Sequence, residues 1–181
     1  MKKINWAEMS VTEIASAICE QMSKYNINVT LCGGACVTIY SENQYKSGDL
    51  DFVMPDYSLK EIDPIMAELG FSRTKFHRHY EDTECPYFVE FPPSPLTIGD
   101  EFVTETASIK TKYGTLRLLT PTDSVKDRLA AFYHWNDRQS LEQAILICKT
   151  KKIDLKEVER WSKGEGSLEK YRYLLQALKK I

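Results

Sequence analysis

The chain has 181 residues, of which 43% are hydrophobic and 28% charged, a composition that argues against disorder over most of its length. Its net charge of -2 supplies no general positive field that would attract nucleic acid. This charge is still compatible with nucleic acid bound in a local basic groove, or with a small anionic ligand. No apolar run approaches the ~20 residues that cross a bilayer, and residues 1–8 lack the apolar stretch of a signal peptide, so we predict a soluble cytoplasmic protein with no membrane partner.

The hydrophobic pattern predicts helices and strands in alternation from the start of the chain to residue 119. Helices are predicted where apolar residues recur every three or four positions, and strands where they alternate or cluster before glycine or proline. The predicted helices are 10–24, 35–40 and 58–69. The predicted strands are 28–32, 49–54, 71–80, 87–91, 103–110 and 115–119, the last two joined as a hairpin.

From residue 120 onward the pattern is helical. Thr120-Pro121 fits a helix start, because proline is tolerated in the first turn. Three more helices are predicted, over 140–150, 155–161 and 168–178. We therefore predict an α+β fold, with a mixed sheet and flanking helices over 1–119 and a C-terminal helical region over 120–181.

The cysteines and histidines give weaker signals. Five cysteines with no Cys-x-x-Cys pair indicate reduced thiols, and we expect Cys32 and Cys36 to be buried and inert. His77 and His79 lack a clear third ligand, so surface histidines are a better interpretation than a zinc site.

Two aspartates, Asp49 and Asp51, begin the predicted strand over 49–54. Side chains alternate faces along a strand, so these two point the same way. Neighbouring carboxylates repel each other unless a proton or a cation lies between them. Oxygen ligands at this spacing suit Mg²⁺ or Mn²⁺, whereas a solvated strand end is the simpler alternative.

Gly33-Gly34 stands between a predicted strand and a predicted helix. Glycines there expose backbone N–H groups at a helix N-terminus, where a phosphate is favoured. Because this turn and an apolar strand bracket the two aspartates, a combined metal and phosphate site becomes the stronger interpretation.

Glu90 lies in Phe88-Val89-Glu90-Phe91, a predicted strand with aromatic residues on both sides. An ionised carboxylate is rarely buried without a partner, and a metal ion would be such a partner. The alternatives are that Glu90 faces solvent or pairs with an arginine.

Three motifs together resemble the DNA-polymerase-β-type nucleotidyltransferase superfamily. They are Gly33-Gly34-Ala35, Ser47-x-Asp49-x-Asp51 and the lone acid Glu90 on a later strand. The resemblance implies a nucleotidyltransferase-like mixed sheet in which Asp49, Asp51 and Glu90 are catalytic and hold Mg²⁺ or Mn²⁺. The family more often has aspartate in the third position, so Glu90 departs from the pattern. The resemblance also implies that Gly33, Gly34 and Ser47 bind the phosphates of a nucleoside triphosphate (NTP).

Asp123-Ser-Val-Lys126 resembles the Asp-x-x-Lys element of the AbiEii-like branch, which includes bacterial toxins of toxin–antitoxin pairs. The resemblance implies that Lys126 binds the nucleotide and takes part in catalysis. On a helix, Asp123, Lys126 and Asp127 share one face, so a structural salt-bridge cluster is an equal alternative. Asp137 resembles a further acidic element of that branch.

These features predict an enzyme that transfers a nucleoside monophosphate (NMP) from an NTP to an acceptor. The acceptor is left open among tRNA, a protein hydroxyl and a small molecule, and an antitoxin is a candidate partner. The alternative is a protein of the same fold that binds a nucleotide or a partner without turnover.

Overall fold

The computed structural model describes residues 4–55, 58–76 and 78–180. The helices are α1 (Val11–Lys24), α2 (Gly33–Tyr40), α3 (Leu59–Glu68), α4 (Pro121–Trp135), α5 (Arg138–Thr150), α6 (Leu155–Gly164) and α7 (Leu168–Leu178). The strands are β1 (Thr30–Cys32), β2 (Asp49–Val53), β3 (Ser72–Arg73), β4 (His79–Glu81), β5 (Phe88–Glu90), β6 (Thr97–Ile98), β7 (Glu101–Phe102), β8 (Thr106–Thr111) and β9 (Gly114–Leu119).

Seven of the strands form one mixed sheet in the order β3-β4-β5-β2-β1-β9-β8, and β6 and β7 form a separate hairpin. The β1–β9 and β2–β5 pairs are parallel, whereas β1–β2, β3–β4, β4–β5 and β8–β9 are antiparallel. The predicted α+β class, a mixed sheet with helices around it, is confirmed. Because β2 lies between β1 and β5, the glycine turn and all three predicted acids lie on adjacent strands.

The predicted start of α1 is also confirmed. The Ser10 Oγ accepts a hydrogen bond from Glu13 N at 3.3 Å, and Glu13 Oε2 accepts one from Ser10 N at 3.0 Å. These two bonds satisfy backbone groups that a helix start leaves without partners. The apolar face of α1 then buries Ile14, Ile18 and Met22 completely, and α1 packs on β8 and β9.

The single strand predicted over 71–80 is wrong. The chain reverses within it, and two short strands, β3 and β4, pair with each other. Backbone bonds close this turn, from Thr74 N to His79 O and from His79 N to Phe76 O, both at 2.8 Å. The β6–β7 hairpin was not predicted, because two-residue strands are too short to show a period.

The four C-terminal helices are confirmed, with α4 against α5 as their largest contact. The indole of Trp161 donates to Ile98 O at 3.2 Å and stacks on Tyr133 at 5.5 Å, which fixes the β6–β7 hairpin to the helices. One hydrophobic core runs through both parts of the chain, and a division after residue 119 stays a prediction. Among the described residues, no helix combines the length and apolar character needed to span a bilayer.

Candidate functional site

Three carboxylates converge on the open face of the sheet. One oxygen from each of Asp49, Asp51 and Glu90 lies within 4.8 Å of the other two. The parallel register explains this convergence, because Asp51 pairs with Glu90 across β2 and β5. Leu50, between the two aspartates, is fully buried, so its neighbours face the other way. The structure thus brings together the three acids that the sequence predicted as metal ligands.

The glycine turn at the start of α2 lies directly against this cluster. Cys32 pairs with Asp51 across β1 and β2, which places the next residue, Gly33, beside the Asp51 side chain. A Cβ atom at Gly33 would overlap Oδ2 of Asp51, and a Cβ atom at Gly34 would lie 2.6 Å from Oγ of Ser47. Glycine is therefore required here by close approach, and at Gly33 also by a φ of +66°.

Gly33→Ala is expected to destabilise the protein and to displace the Asp51 carboxylate. A left-handed backbone costs a non-glycine residue about 1–2 kcal/mol, and relief of the overlap adds to it. We expect the melting temperature to fall by about 3–10 °C. Gly48→Ala is the matched control, because a Cβ there meets nothing within 4 Å. Equal melting temperatures for the two variants in thermal unfolding would contradict the assigned role of Gly33.

Ser47 positions one of the acids. Its Oγ donates to Asp49 Oδ1 at 2.6 Å, and its backbone N donates to Thr38 Oγ1 at 3.0 Å. Only 9% of Ser47 is exposed, so the residue is fixed between α2 and β2. The structure places it at the site as predicted, and its contact with a phosphate stays a prediction.

The electrostatics of the cluster favour a bound cation. Burial, together with the smaller effects of the neighbouring charges of Asp49 and Glu90, raises the pKa of Asp51 to about 7. A divalent cation would relieve this repulsion, and the donor set consists only of carboxylate oxygens, which Mg²⁺ and Mn²⁺ prefer. The residues present therefore fit a divalent metal ion.

The N-terminus of α2 adds donors beside the acids. Its N-cap is Cys32, and no side chain caps the first turn among the described residues, so backbone N–H groups remain for a ligand. The helix dipole favours an anion at this end. Burial raises the pKa of the Cys32 thiol well above its ordinary value and that of Cys36 to about 12, so both are neutral thiols, as predicted.

Lys126 lies in a different cluster. Three carboxylates surround its Nζ, those of Asp123 at 3.1 Å, Glu157 at 3.2 Å and Glu101 at 4.0 Å. Only 6% of the residue is exposed. This is the salt-bridge arrangement that the helix spacing offered as the alternative, although Asp127 has no part in it. Contact of Lys126 with a nucleotide stays a prediction, and it requires the ammonium to leave these carboxylates.

Arg128 is a basic residue whose charge acts on the acid cluster, and it was not predicted from the sequence as a site residue. Its positive charge lowers the pKa of Asp51, although burial and the charges of Asp49 and Glu90 raise that pKa by more. Its Nε and Nη2 donate to Asp127 Oδ2 at 3.0 and 2.6 Å, and its Nη1 donates to Gln143 Oε1 at 3.3 Å. Two residues along a helix point about 200° apart, so the Lys126 and Arg128 side chains leave α4 on different sides.

Two further predictions have structural outcomes. His79 is not simply a surface histidine, because its Nε2 lies 3.2 Å from Oε2 of Glu90, while His77 lies outside the described residues. Strand pairing of His79 with Glu90, invisible in the sequence, makes this contact. Asp137 caps α5, accepting from Gln139 N at 3.0 Å and from Ser140 Oγ at 2.7 Å. This capping is a structural role for Asp137.

Similar folds occur among solved nucleotidyltransferases. By sequence, no protein-family model and no curated protein matches this chain. It is similar to the solution structure of the antibiotic-resistance factor ANT(2″)-Ia, with 17% identity and a TM-score of 0.52 over 94% of this chain and 95% of that one. The crystal structure of ANT(2″)-Ia in complex with adenylyl-2″-tobramycin gives 16% identity and a TM-score of 0.53, over 82% and 92%.

A third similar structure is an antigenic nucleotidyltransferase-like protein from Paracoccidioides brasiliensis. Its identity is 13% and its TM-score 0.56, over 78% of this chain and 76% of that one. At these identities the likeness shows a shared fold. The fold of this chain is therefore the one that these nucleotidyltransferases adopt.

Proposed function

We propose that this protein transfers an NMP group from an NTP to a hydroxyl-bearing acceptor, with Mg²⁺ or Mn²⁺ as the cofactor. The observation that carries the proposal is the convergence of Asp49, Asp51 and Glu90 within 4.8 Å, beside the uncapped N-terminus of α2. The shared fold supports it, because one similar structure is named a nucleotidyltransferase-like protein and the other two are of ANT(2″)-Ia, one of them in complex with adenylyl-2″-tobramycin.

The residues have distinct roles in this proposal. Asp49 and Asp51 would hold the divalent ions, with Glu90 completing the set on the acceptor side. When bound, the metal ions supply charge stabilisation for the attacking and leaving oxygens. The backbone at Gly33 and Gly34 would bind the β- and γ-phosphates at the start of α2, with Ser47 holding Asp49 in position. Lys126 is retained as a further nucleotide contact on the resemblance alone.

The transfer itself balances without another reactant. The acceptor hydroxyl oxygen forms a bond to the α-phosphorus, and the bond from that phosphorus to the pyrophosphate oxygen breaks. Pyrophosphate leaves with the bonding electron pair. The hydroxyl proton passes to the carboxylate of Glu90, which lies on the side of the cluster nearest β4.

The test is incubation of the protein with Mg²⁺, each α-labelled NTP and cell extract. We expect label to enter one class of macromolecule or small molecule, with release of one pyrophosphate per label and no transfer in excess chelator. In parallel, Mg²⁺ with the correct NTP should raise the melting temperature, since a ligand that binds only the folded state stabilises it by RT ln(1 + [L]/Kd).

The outcomes separate the two interpretations of this fold. A thermal shift without any labelled product would favour the alternative, a nucleotide-binding protein without turnover. No shift with any NTP and no label would overturn both the enzyme and the nucleotide-binding interpretation, and would leave the partner-binding one.

The toxin role, an antitoxin partner and a cytoplasmic location are further parts of the proposal. The described cysteines are free thiols, which supports a reducing compartment. Growth arrest on induced expression of the native chain, but not of its Asp51→Asn variant, would support the toxin role. Equal growth of both cultures would count against it.

A further inference from the structure

The two edges of the main sheet differ in length. β3 forms one edge with two residues, and β8 forms the other with six. Among the described residues, β9 is the only strand that pairs with β8. In an antiparallel pair, alternate residues turn their backbone N–H and C=O groups toward the partner strand, so half of the β8 residues turn these groups outward. The outward groups form a template on which another strand can pair.

β8 lacks the features that commonly protect a free edge. Natural edge strands are kept from pairing by proline, by bulges, or by charged residues along the strand. The sequence of β8 is Thr-Ala-Ser-Ile-Lys-Thr, without proline, and its register with β9 is continuous over the whole strand. Its centre, Ala107-Ser108-Ile109, is uncharged, and its one charge, on Lys110, lies toward its end. This edge is therefore open to an incoming strand.

The two faces of β8 have different environments. Ala107 and Ile109 are partly buried and pack on the core, opposite two fully buried leucines of β9. Thr106, Ser108 and Lys110 are exposed on the other face. Helix α1 packs against β8 as well as β9. A strand that joins this edge extends the core only if its apolar side chains lie on the same face as Ala107 and Ile109.

The charges at the two ends of this edge segment are opposite. Glu105 directly precedes β8, whereas Lys110 and Lys112 lie at its end, and all three are exposed. A parallel copy of the segment would place like charges side by side, and these repel each other. An antiparallel copy places the acid of each segment beside the lysines of the other. The segment is therefore complementary in charge to itself in the antiparallel direction.

We propose that β8 pairs with β8 of a second copy of this chain, antiparallel and about a two-fold axis at Ser108. Ala107 then lies opposite Ile109 of the second copy, so the apolar faces of both copies lie on the same side of the sheet. Glu105 lies opposite Thr111 of the second copy, whose neighbours in sequence are the two lysines. The two seven-stranded sheets become one continuous sheet, with both α1 helices on one face.

Other registers and occupants fit this edge less well. A shift by one residue would place the apolar residues of one copy opposite the exposed residues of the other. A two-fold axis at Lys110 would set two ammonium groups against each other. A purely basic or purely acidic peptide would match the charge at one end of the segment, whereas a second copy matches the charges at both ends.

The test is sedimentation equilibrium of the full chain over a series of concentrations. The native protein should pass from its monomer mass of 20.9 kDa toward twice that mass as the concentration rises. Ser108→Lys and Ser108→Glu each place like charges across the axis, so each should weaken the dimer about fivefold or more. An equal mixture of the two variants should dimerise more tightly than either variant alone, because lysine then faces glutamate.

Ser72→Lys is the matched control for Ser108→Lys. It makes the same change at an exposed residue of β3, the other edge strand, and should leave the dimer unchanged. Ser108 lies opposite Arg117 within the chain, so thermal unfolding of both Ser108 variants checks that they are folded. Hydrogen exchange of the native chain needs no variant. Backbone amides within 106–111 should exchange more slowly at high protein concentration than at low concentration.

Three results would overturn the inference. The first is a mass of 20.9 kDa at every concentration up to about 1 mM, with amide exchange in β8 independent of concentration. The second is equal dimer affinity of Ser108→Lys and Ser72→Lys, and the third is a mixture of the Ser108 variants that dimerises no better than either alone. None of these results bears on the proposed function, because β8 lies three strands from β2, or about 14 Å.

Discussion

Replacement of Asp51 by asparagine is expected to reduce the rate of NMP transfer by at least about a thousandfold. Asp51 lies against the glycine turn, and one of its oxygens lies within 4.8 Å of an oxygen of each of the other two acids. Any ion held there would therefore lose a charged ligand. Metal ions contribute several kcal/mol to the stabilisation of a transition state, and each 1.36 kcal/mol is a factor of ten in rate. The measurement is pyrophosphate release under saturating Mg²⁺ and NTP.

Asparagine keeps the shape of the side chain, so the loss should not come from unfolding. Glu159→Gln is the matched control, because it also removes one charge but from an exposed position on α6, and it should retain the native rate. A rate for Asp51→Asn within tenfold of the native protein would show that Asp51 holds no catalytic ion. The Mg²⁺-induced thermal shift should disappear in the same variant.

The same substitution is expected to make the metal-free protein more stable at neutral pH. Asp51 carries a folded-state pKa of about 7 against an ordinary value of 3.8, mainly because of its burial. A shift of one unit corresponds to 1.36 kcal/mol, which sets an upper limit of about 4 kcal/mol on the stability lost by ionising this group. Since screening by solvent offsets part of it, we expect a gain of about 1–3 kcal/mol, or about 3–10 °C in melting temperature.

The pH dependence has a defined sign. Below about pH 4 the Asp51 carboxyl is protonated in both the folded and the unfolded state, so it does not reduce the free energy of unfolding. Between about pH 4 and 7 the folded state binds more protons than the unfolded state, so the contribution of Asp51 to stability falls as the pH rises. Above about pH 7 Asp51 is ionised in both states, and its contribution to stability falls no further. Unfolding in urea at pH 5 and pH 8, with chelator present, should therefore show a larger difference between native protein and Asp51→Asn at pH 8.

If Asp51→Asn lowers the activity but raises the stability of the metal-free protein, the acid cluster is a functional site and not a structural one. A structural ion pair would lose stability when one partner is neutralised, whereas a cluster of like charges gains it. If Asp51→Asn lowers the free energy of unfolding at pH 8 without metal, the three acids do not repel one another. The electrostatic reason for expecting a cation between them would then be lost.

Local patterns in the sequence were sufficient for most of the fold and for the identity of the three acids. The spacing of the apolar residues predicted every helix except α2, which was predicted from its start at the glycine turn. Both signals, like a capping box, involve residues only a few positions apart in the sequence. Asp49 and Asp51 share a face because strand geometry requires it. Gly33 and Gly34 could be predicted as a phosphate-binding turn, because that prediction depends only on local backbone conformation and on exposed backbone N–H groups.

Contacts between residues distant in the sequence were decided by the tertiary structure. The pairing of β2 with β5 sets Glu90 beside Asp51, and the pairing of β4 with β5 brings His79 to Glu90, neither of which leaves a local signal. Rotation around α4 directs Arg128 toward Asp51 and encloses Lys126 among three other carboxylates. Sequence thus determined which residue types and elements are present, while strand register and helix packing, which depend on the whole core, decided which side chains meet.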